Sequence, residues 1–318
     1  MDFLTLTSPK IYSFVTRSRI LSLYSSPEEV TGTLIKKLPI SLRTDAETDA
    51  KLYRSSLEKL NAFIVSYYDI IYPPYLREIY DPPPNLFCIG DPSVLERKLL
   101  AVVGTRSPSP VTRLACGNLT SAISSLGYQG IVSGLAIGVD AAAMECALEN
   151  NLSVLGVMGT GPDREYPYEN KNLYRKMKTT AGALVVTEYP PGFQIRKYAF
   201  PRRNRIITGI SDSLLVMEAP EKSGAISSAY SAVSQNREVY IFDHPAQFSN
   251  QGGKKLLSDG ANEILFPLFS GQKEKFFHAN DILPTNFQDL PATLSRLGKE
   301  MLDGNWIDLG NGFLRSET

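Results

Sequence analysis

The sequence predicts an α/β fold built on a doubly wound, mostly parallel sheet, flanked by two small appendages. Three observations carry this expectation. Between about residues 98 and 268, continuous apolar, β-branched runs alternate with stretches of helical composition. Ahead of them stand short helical patterns and a proline-rich connector. Behind them come one helical pattern and one hairpin pattern. The expected division is an N-terminal helical domain at 1–65, a doubly wound α/β domain at 66–270 and a short C-terminal module at 271–318.

In the first unit, Ser26-Pro27-Glu28-Glu29 has the form of a helix start, with a hydroxyl cap, proline in the first turn and acids beside it. A second helix is expected over Asp45–Leu60, where Leu52, Leu57 and Leu60 recur at helical intervals. The connector from Tyr72-Pro73-Pro74 to Asp81-Pro82-Pro83-Pro84 favours extended backbone. Six strands are then expected, at Leu99–Val103, Gln129–Val132, Ser153–Met158, Ala183–Thr187, Ser213–Met217 and Glu238–Phe242. Helices are expected between them over Pro110–Leu126, Val139–Asn150 and Gly224–Gln235. Right-handed crossovers make such an array doubly wound. Near the C-terminus, Leu290–Leu302 reads as a helix and Trp306–Leu314 as a hairpin around Gly310–Gly312. Together they suggest a short winged-helix module, the alternative being a tail packed on the main domain.

The chain of 318 residues, 43% hydrophobic, has ample material for a large core. Its 33 basic and 33 acidic residues balance, so any nucleic-acid reading rests on local clusters. Cys88, Cys116 and Cys146 have no metal-ligand spacing and are too few for a disulfide framework; buried, reduced thiols in a cytoplasmic protein are expected. The start, Met1-Asp2-Phe3-Leu4-Thr5, lacks a basic n-region, and no apolar run reaches membrane-spanning length.

Every unusual motif follows an expected strand, and in an open parallel sheet ligands sit beyond the carboxyl ends of the strands. Gly104-Thr105-Arg106 follows the first, Ser133-Gly134-Leu135-Ala136-Ile137-Gly138 the second and Gly159-Thr160-Gly161 the third. Glu188-Tyr189-Pro190-Pro191-Gly192 follows the fourth and runs on to Phe200-Pro201-Arg202-Arg203-Asn204-Arg205, and the fifth leads into Lys222-Ser223-Gly224. Ser133-Gly134 and Ser223-Gly224 both precede helical stretches, so each is a candidate phosphate cradle; a tight turn that needs glycine is the alternative.

Arg196, Lys197, Arg202, Arg203 and Arg205 fall within ten residues that hold no acid and are interrupted by Tyr198 and Phe200. Guanidinium forks grip phosphate oxygens, and an aromatic ring offers a base a stacking surface. The alternative is a solvated basic surface over packed Phe200 and Pro201, with Arg203 bracing the loop from within. Enzyme readings lack parts. His244 and His278 belong to no nucleophile–base constellation, Asp140 and Glu145 are not paired carboxylates, and neither a dinucleotide fingerprint nor a Walker A pattern is present. No metal site, cofactor or catalytic residue is expected. Tyr128, Tyr166 and Tyr174 are assigned to core or rim.

These motifs, in this order, resemble the bacterial DNA-processing protein A (DprA/Smf) family over roughly residues 68 to 265. The resemblance rests on Tyr72-Pro73, Asp81-Pro82-Pro83, Val103-Gly104-Thr105-Arg106, Ser133 through Ala141, Glu188 through Gly192, Phe200 through Ile207, and Lys222-Ser223-Gly224. It implies an extended Rossmann fold, binding and protection of single-stranded DNA during natural transformation, loading of the RecA recombinase, and a homodimer. It also implies a DNA site at Gly104, Arg106, Ser133, Gly134, Lys197, Phe200, Arg202, Arg203, Asn204, Arg205, Lys222, Ser223 and Gly224. The chain departs from the family at Met144, where histidine is usual, and at Lys254, which takes the place of an asparagine. A Rossmann enzyme acting on a nucleotide or nucleoside phosphate is the competing class. Its expected Pro-Gly-Gly-x-Gly-Thr loop is replaced here by Met158-Gly159-Thr160-Gly161-Pro162.

Overall fold

The computed structural model describes residues 3–11, 13, 20–21, 23–33, 35–264, 268, 273–278, 282, 289–303, 306–309 and 312–317. A sheet of nine strands runs through its middle. In chain order they are β1 (Phe63–Ser66), β2 (Asn85–Gly90), β3 (Leu99–Val103), β4 (Gly130–Ser133), β5 (Ser153–Val157), β6 (Ala183–Thr187), β7 (Ser213–Val216), β8 (Glu238–Phe242) and β9 (Asn262–Ile264). Their spatial order is β1-β2-β6-β5-β4-β3-β7-β8-β9. The β1–β2 and β2–β6 pairs are antiparallel, and every pair from β6 to β9 is parallel.

Strand alternation distributes the core between two faces. Leu100, Val102, Ile131, Val154, Val185 and Leu215 face the helices α4 (Pro110–Gly117), α5 (Leu119–Ser125), α6 (Val139–Glu149) and α7 (Lys171–Thr179). Their neighbours Leu99, Ala101, Val132, Leu155, Leu184 and Leu214 face α3 (Pro74–Arg77), α8 (Ala199–Ile210), α9 (Gly224–Ser234) and α10 (Gln251–Ser258). From the central β3 the chain steps outward through β4, β5 and β6, then returns to β7 on the other side. The helices that follow β3 and β7 therefore leave on opposite faces, which opens a crevice at the carboxyl ends of these two strands.

The six expected strands are all present, to within a residue or so at each end. Three helices differ from expectation, one of them α3, which forms within the connector where extended backbone was expected. Pro110–Leu126 is broken at Asn118, whose side-chain amide donates to the Leu114 carbonyl, so two short helices replace one. The second N-terminal helix, α2 (Ile40–Lys59), begins at Ile40 rather than Asp45; Pro39 precedes it with no side-chain cap to mark the start. Its buried stripe is Ala46, Ala50, Tyr53 and Leu57, while Leu52 faces solvent. The first helix, α1 (Pro27–Thr33), starts as expected, Ser26 Oγ accepting from Glu29 N at 3.2 Å.

These N-terminal elements close against the antiparallel edge of the sheet. Leu4, Ala50, Tyr53 and Leu57 cluster with Phe87 of β2, and Asn85 Nδ2 donates to Thr7 Oγ1 at 3.0 Å. At the other end α11 (Leu290–Leu302) accompanies a three-stranded antiparallel sheet of β10 (Lys273–His278), β11 (Trp306–Asp308) and β12 (Gly312–Glu317), in the order β10-β12-β11. Helix and hairpin lie where the sequence places them; Gly310 and Asn311 of the hairpin turn lie outside the described residues. Leu309 and Leu314 join the first-face core. All three cysteines are buried free thiols, and burial pushes Cys116 up to about 12. Among the described residues no helix is long and apolar enough to cross a membrane.

Candidate nucleic-acid interface

The crevice at β3 and β7 is a cleft of about 980 Å³, roofed by the first turn of α8. The loop after β3 brings Gly104 and Arg106 to it, the loop after β7 brings Lys222, Ser223 and Gly224, and α8 with its approach brings Lys197, Phe200, Arg203 and Asn204. Nine of the thirteen residues expected from sequence thus meet in one cavity; Ser133, Gly134, Arg202 and Arg205 do not line it.

Backbone geometry separates the two Ser-Gly loops. Ser133 is fully buried, its hydroxyl donating to the Val102 carbonyl at 2.7 Å. Gly134 N and Ala136 N both donate to the Asp140 carboxylate, at 3.1 and 3.4 Å, so these groups already have an anion. A side chain at Gly134 would collide with the Arg203 guanidinium. This loop carries glycine for internal packing, which fits the tight-turn alternative rather than the phosphate cradle. Gly138, at φ +87°, has the same character: a Cβ there would come within 2.5 Å of the Thr105 carbonyl. The second loop is open. Ser223 caps α9 by accepting from Ile226 N, and nothing lies within 4 Å of where a Gly224 Cβ would stand. Glycine at 224 is not demanded by the protein's own packing, and its N–H stands at the positive end of a helix of eleven residues.

The basic cluster divides in the same way. Arg203 is 5% exposed; it donates to the carbonyls of Gly134 and Val157 and lies beside Asp140. Burial pulls this guanidinium below its ordinary value, and the Asp140 carboxylate opposes that shift. Burial likewise raises the Asp140 carboxyl, with Arg203 and the two N–H groups pulling it back down. Arg205 is buried between Glu188 at 2.6 Å and Asp81 at 3.0 Å. Arg202 reaches the same two carboxylates at 3.6 and 3.2 Å. Two arginines and two acids therefore form a neutral quartet off the cleft, unlike the expected arrangement in which Arg202 and Arg205 point at the ligand. By contrast Arg106, Lys197 and Lys222 are exposed cleft residues with no ion pair among the described residues.

The aromatic part of the cleft is a pair of rings. Phe200 lies over Gly159, where a Cβ would meet its ring at 2.7 Å, and tilts against Tyr166 with centroids 5.2 Å apart. Tyr166 is half-exposed and lines the cleft, a role that the assignment to core or rim passes over. Its signal was its place in the loop after β5, on the same sheet edge as every other motif. Tyr128 and Tyr174, in contrast, are buried in the core.

The carboxylates near the switch point are occupied. Glu218 accepts from Ser109 N, Ser109 Oγ and Ser249 N, which ties α4 and the approach to α10 to the end of β7. His244 Nδ1 accepts from Ala246 N, and burial lowers the ring's basicity. It stabilises its loop, as expected. To a ligand the cleft offers an open helix N-terminus, three exposed cations and a two-ring platform.

A family model described as DNA recombination-mediator protein A matches residues 63–267. DNA processing protein DprA of Bacillus subtilis (strain 168) is 36% identical over 195 residues, which cover 61% of this chain and 65% of that protein, so the chain spans less than two thirds of this relative's length. The X-ray structure of DNA processing protein A from Streptococcus pneumoniae superposes with a TM-score of 0.68 at 27% identity, covering 83% of this chain and 95% of that one. DNA processing protein A from Helicobacter pylori, described for its single-stranded DNA binding mode, gives a TM-score of 0.57 at 29% identity, over 65% of this chain and 92% of its own.

Proposed function

The chain belongs to the DNA recombination-mediator protein A family, and on that premise we propose that it binds single-stranded DNA in the cleft between β3 and β7. The observation that carries this reading is the pairing of exposed Arg106, Lys197 and Lys222 with the Phe200–Tyr166 rings around one cavity. Phosphates take the three cations and the Gly224 N–H, and an unpaired base stacks on the rings. The Helicobacter pylori relative, described for single-strand binding, supports it. Asn204 Nδ2, which donates to the Gly224 carbonyl at 3.4 Å, sets the start of α9 against α8. Ser133, Gly134, Arg202 and Arg205 act as positioning residues behind this surface, and Arg203 braces the cleft wall from its buried side.

In the wider role we propose, the protein protects incoming single strands in natural transformation and loads the RecA recombinase, as a cytoplasmic homodimer. No catalytic step is part of this proposal; Asp140 and Glu218, the acids beside the cleft, accept hydrogen bonds from backbone N–H groups. The units 1–65, 66–270 and 271–318 are proposed as its domains, with β1 stitching the first boundary to the sheet. The apolar Leu256–Phe269 stretch, proposed as part of the dimer surface, lies partly outside the described residues.

A gel shift with single- and double-stranded oligonucleotides of equal length tests the central claim. A duplex hides the faces of its bases, so single strands should bind more tightly and with little sequence preference. Equal affinity for both forms would remove the stacking argument.

A further inference from the structure

We infer that a single strand leaving the cleft continues outward over Tyr168 and the Lys171–Arg175 face of α7, a second contact zone beyond the cleft rim. The inference rests on the single-strand reading above. Tyr166 belongs to the cleft, and Tyr168 follows two residues later, at most about 7 Å along the chain. Tyr168 is 71% exposed, although a ring of that size is ordinarily covered at least in part. Its turn is fixed, because Asn170 Nδ2 donates to the Leu135 carbonyl at 2.9 Å and so ties it to the loop after β4. Lys171 Nζ stands 4.8 Å over the ring and 3.2 Å from its hydroxyl, which orients the ring without covering it.

The helix behind it carries four basic residues, Lys171, Arg175, Lys176 and Lys178. Two are matched, Lys176 with Glu149 at 3.9 Å and Lys178 with Glu165 at 2.7 Å. Lys171 and Arg175 are exposed and have no carboxylate partner among the described residues. Four residues apart, they share a helix face, where like charges repel unless an anion joins them. Glu169 is the acidic residue of the adjoining turn, and the two cations outnumber it. Bare ring followed by unmatched cations, on the edge where the cleft opens, repeats the pattern of the cleft itself. An acidic protein segment would satisfy the cations but would have no use for the ring.

The test compares fluorescence anisotropy for oligothymidylates of about four and about twelve nucleotides, the short one filling only the cleft. Tyr168→Ala should weaken the long oligonucleotide about tenfold and leave the short one unchanged, while Tyr168→Phe binds both normally. Lys171→Gln with Arg175→Gln should lower the salt slope for the long oligonucleotide by about 1.4, at about 0.7 per contact. Unchanged long-strand affinity and slope in these variants would overturn the inference and leave the patch to another partner. So would equal weakening of both lengths, which would make Tyr168 part of the cleft. The cleft reading is tested separately by Arg106→Ala, which must weaken both lengths.

Discussion

Phe200 and Arg106 share the cleft but act on DNA through different physics, and salt separates them. Three phosphate contacts from Arg106, Lys197 and Lys222 give a salt slope of about −2 on single strands. Arg106→Ala should weaken binding and flatten that slope by about 0.7. Phe200→Ala should cost roughly 1–3 kcal/mol of affinity with the slope unchanged, because stacking releases no counterions. Titrations at several salt concentrations read both quantities, and an unaltered slope in Arg106→Ala would take that residue off the DNA. Arg203 belongs to a different class. Arg203→Met leaves the buried Gly134 and Val157 carbonyls without their donor and removes the cation beside Asp140, at a cost of about 1–3 kcal/mol per orphaned group. The melting temperature should fall by several degrees; loss of DNA affinity at unchanged melting temperature would contradict the bracing role. The sequence shows the arginine-rich decapeptide plainly but not its division of labour. The acids that neutralise Arg202 and Arg205 are Asp81 and Glu188, one of them more than a hundred residues away. A run of like charge is therefore read correctly as composition and wrongly as surface until the fold returns its partners.

At the scale of the element, the two Ser-Gly loops look alike in sequence and differ in the surroundings of the glycine. Gly224→Ala meets no atom within 4 Å and needs no unusual backbone, so stability should change by no more than ~1 kcal/mol, in the favourable direction. Affinity should nevertheless drop, because a methyl group there holds a phosphate off the first N–H of α9; one charge-assisted bond is worth about 1.5–3 kcal/mol. Gly134→Ala should do the reverse, unfolding the protein at lower temperature by forcing Arg203 aside. Paired melting and binding curves for the two variants decide the matter, and identical behaviour would undo the distinction. The strands were legible because each is a continuous apolar run bounded by glycine, proline or polar residues. Helix limits were less so: Asn118 interrupts a pattern without any glycine or proline to announce it, and α2 starts behind an uncapped Pro39. The antiparallel strands β1 and β2 were missed because prolines crowd the connector between and around them, and their pairing is long-range.

For the whole molecule, the cleft is built entirely from residues 103–228, yet the stability of its fold draws on the C-terminal region. Leu268, Leu309 and Leu314 sit in the core cluster shared with α4 and α6, and Asn118 Nδ2 donates to the Leu268 carbonyl. A chain ending at residue 270 should therefore melt at lower temperature than the full chain while keeping its affinity for a short single strand. A folded truncation that no longer binds would make the tail part of the site. The neutral quartet has a kinetic consequence as well. The chain carries no net charge, and the four charges of the quartet cancel one another, which leaves the few unpaired cations of the cleft as the source of any steering field. Beyond a screening length of about 8 Å, the protein offers an approaching polyanion little field to follow. Encounter should proceed at the unsteered rate, on the order of 10⁵–10⁶ M⁻¹s⁻¹. Added salt should then act mainly by shortening the lifetime of the complex.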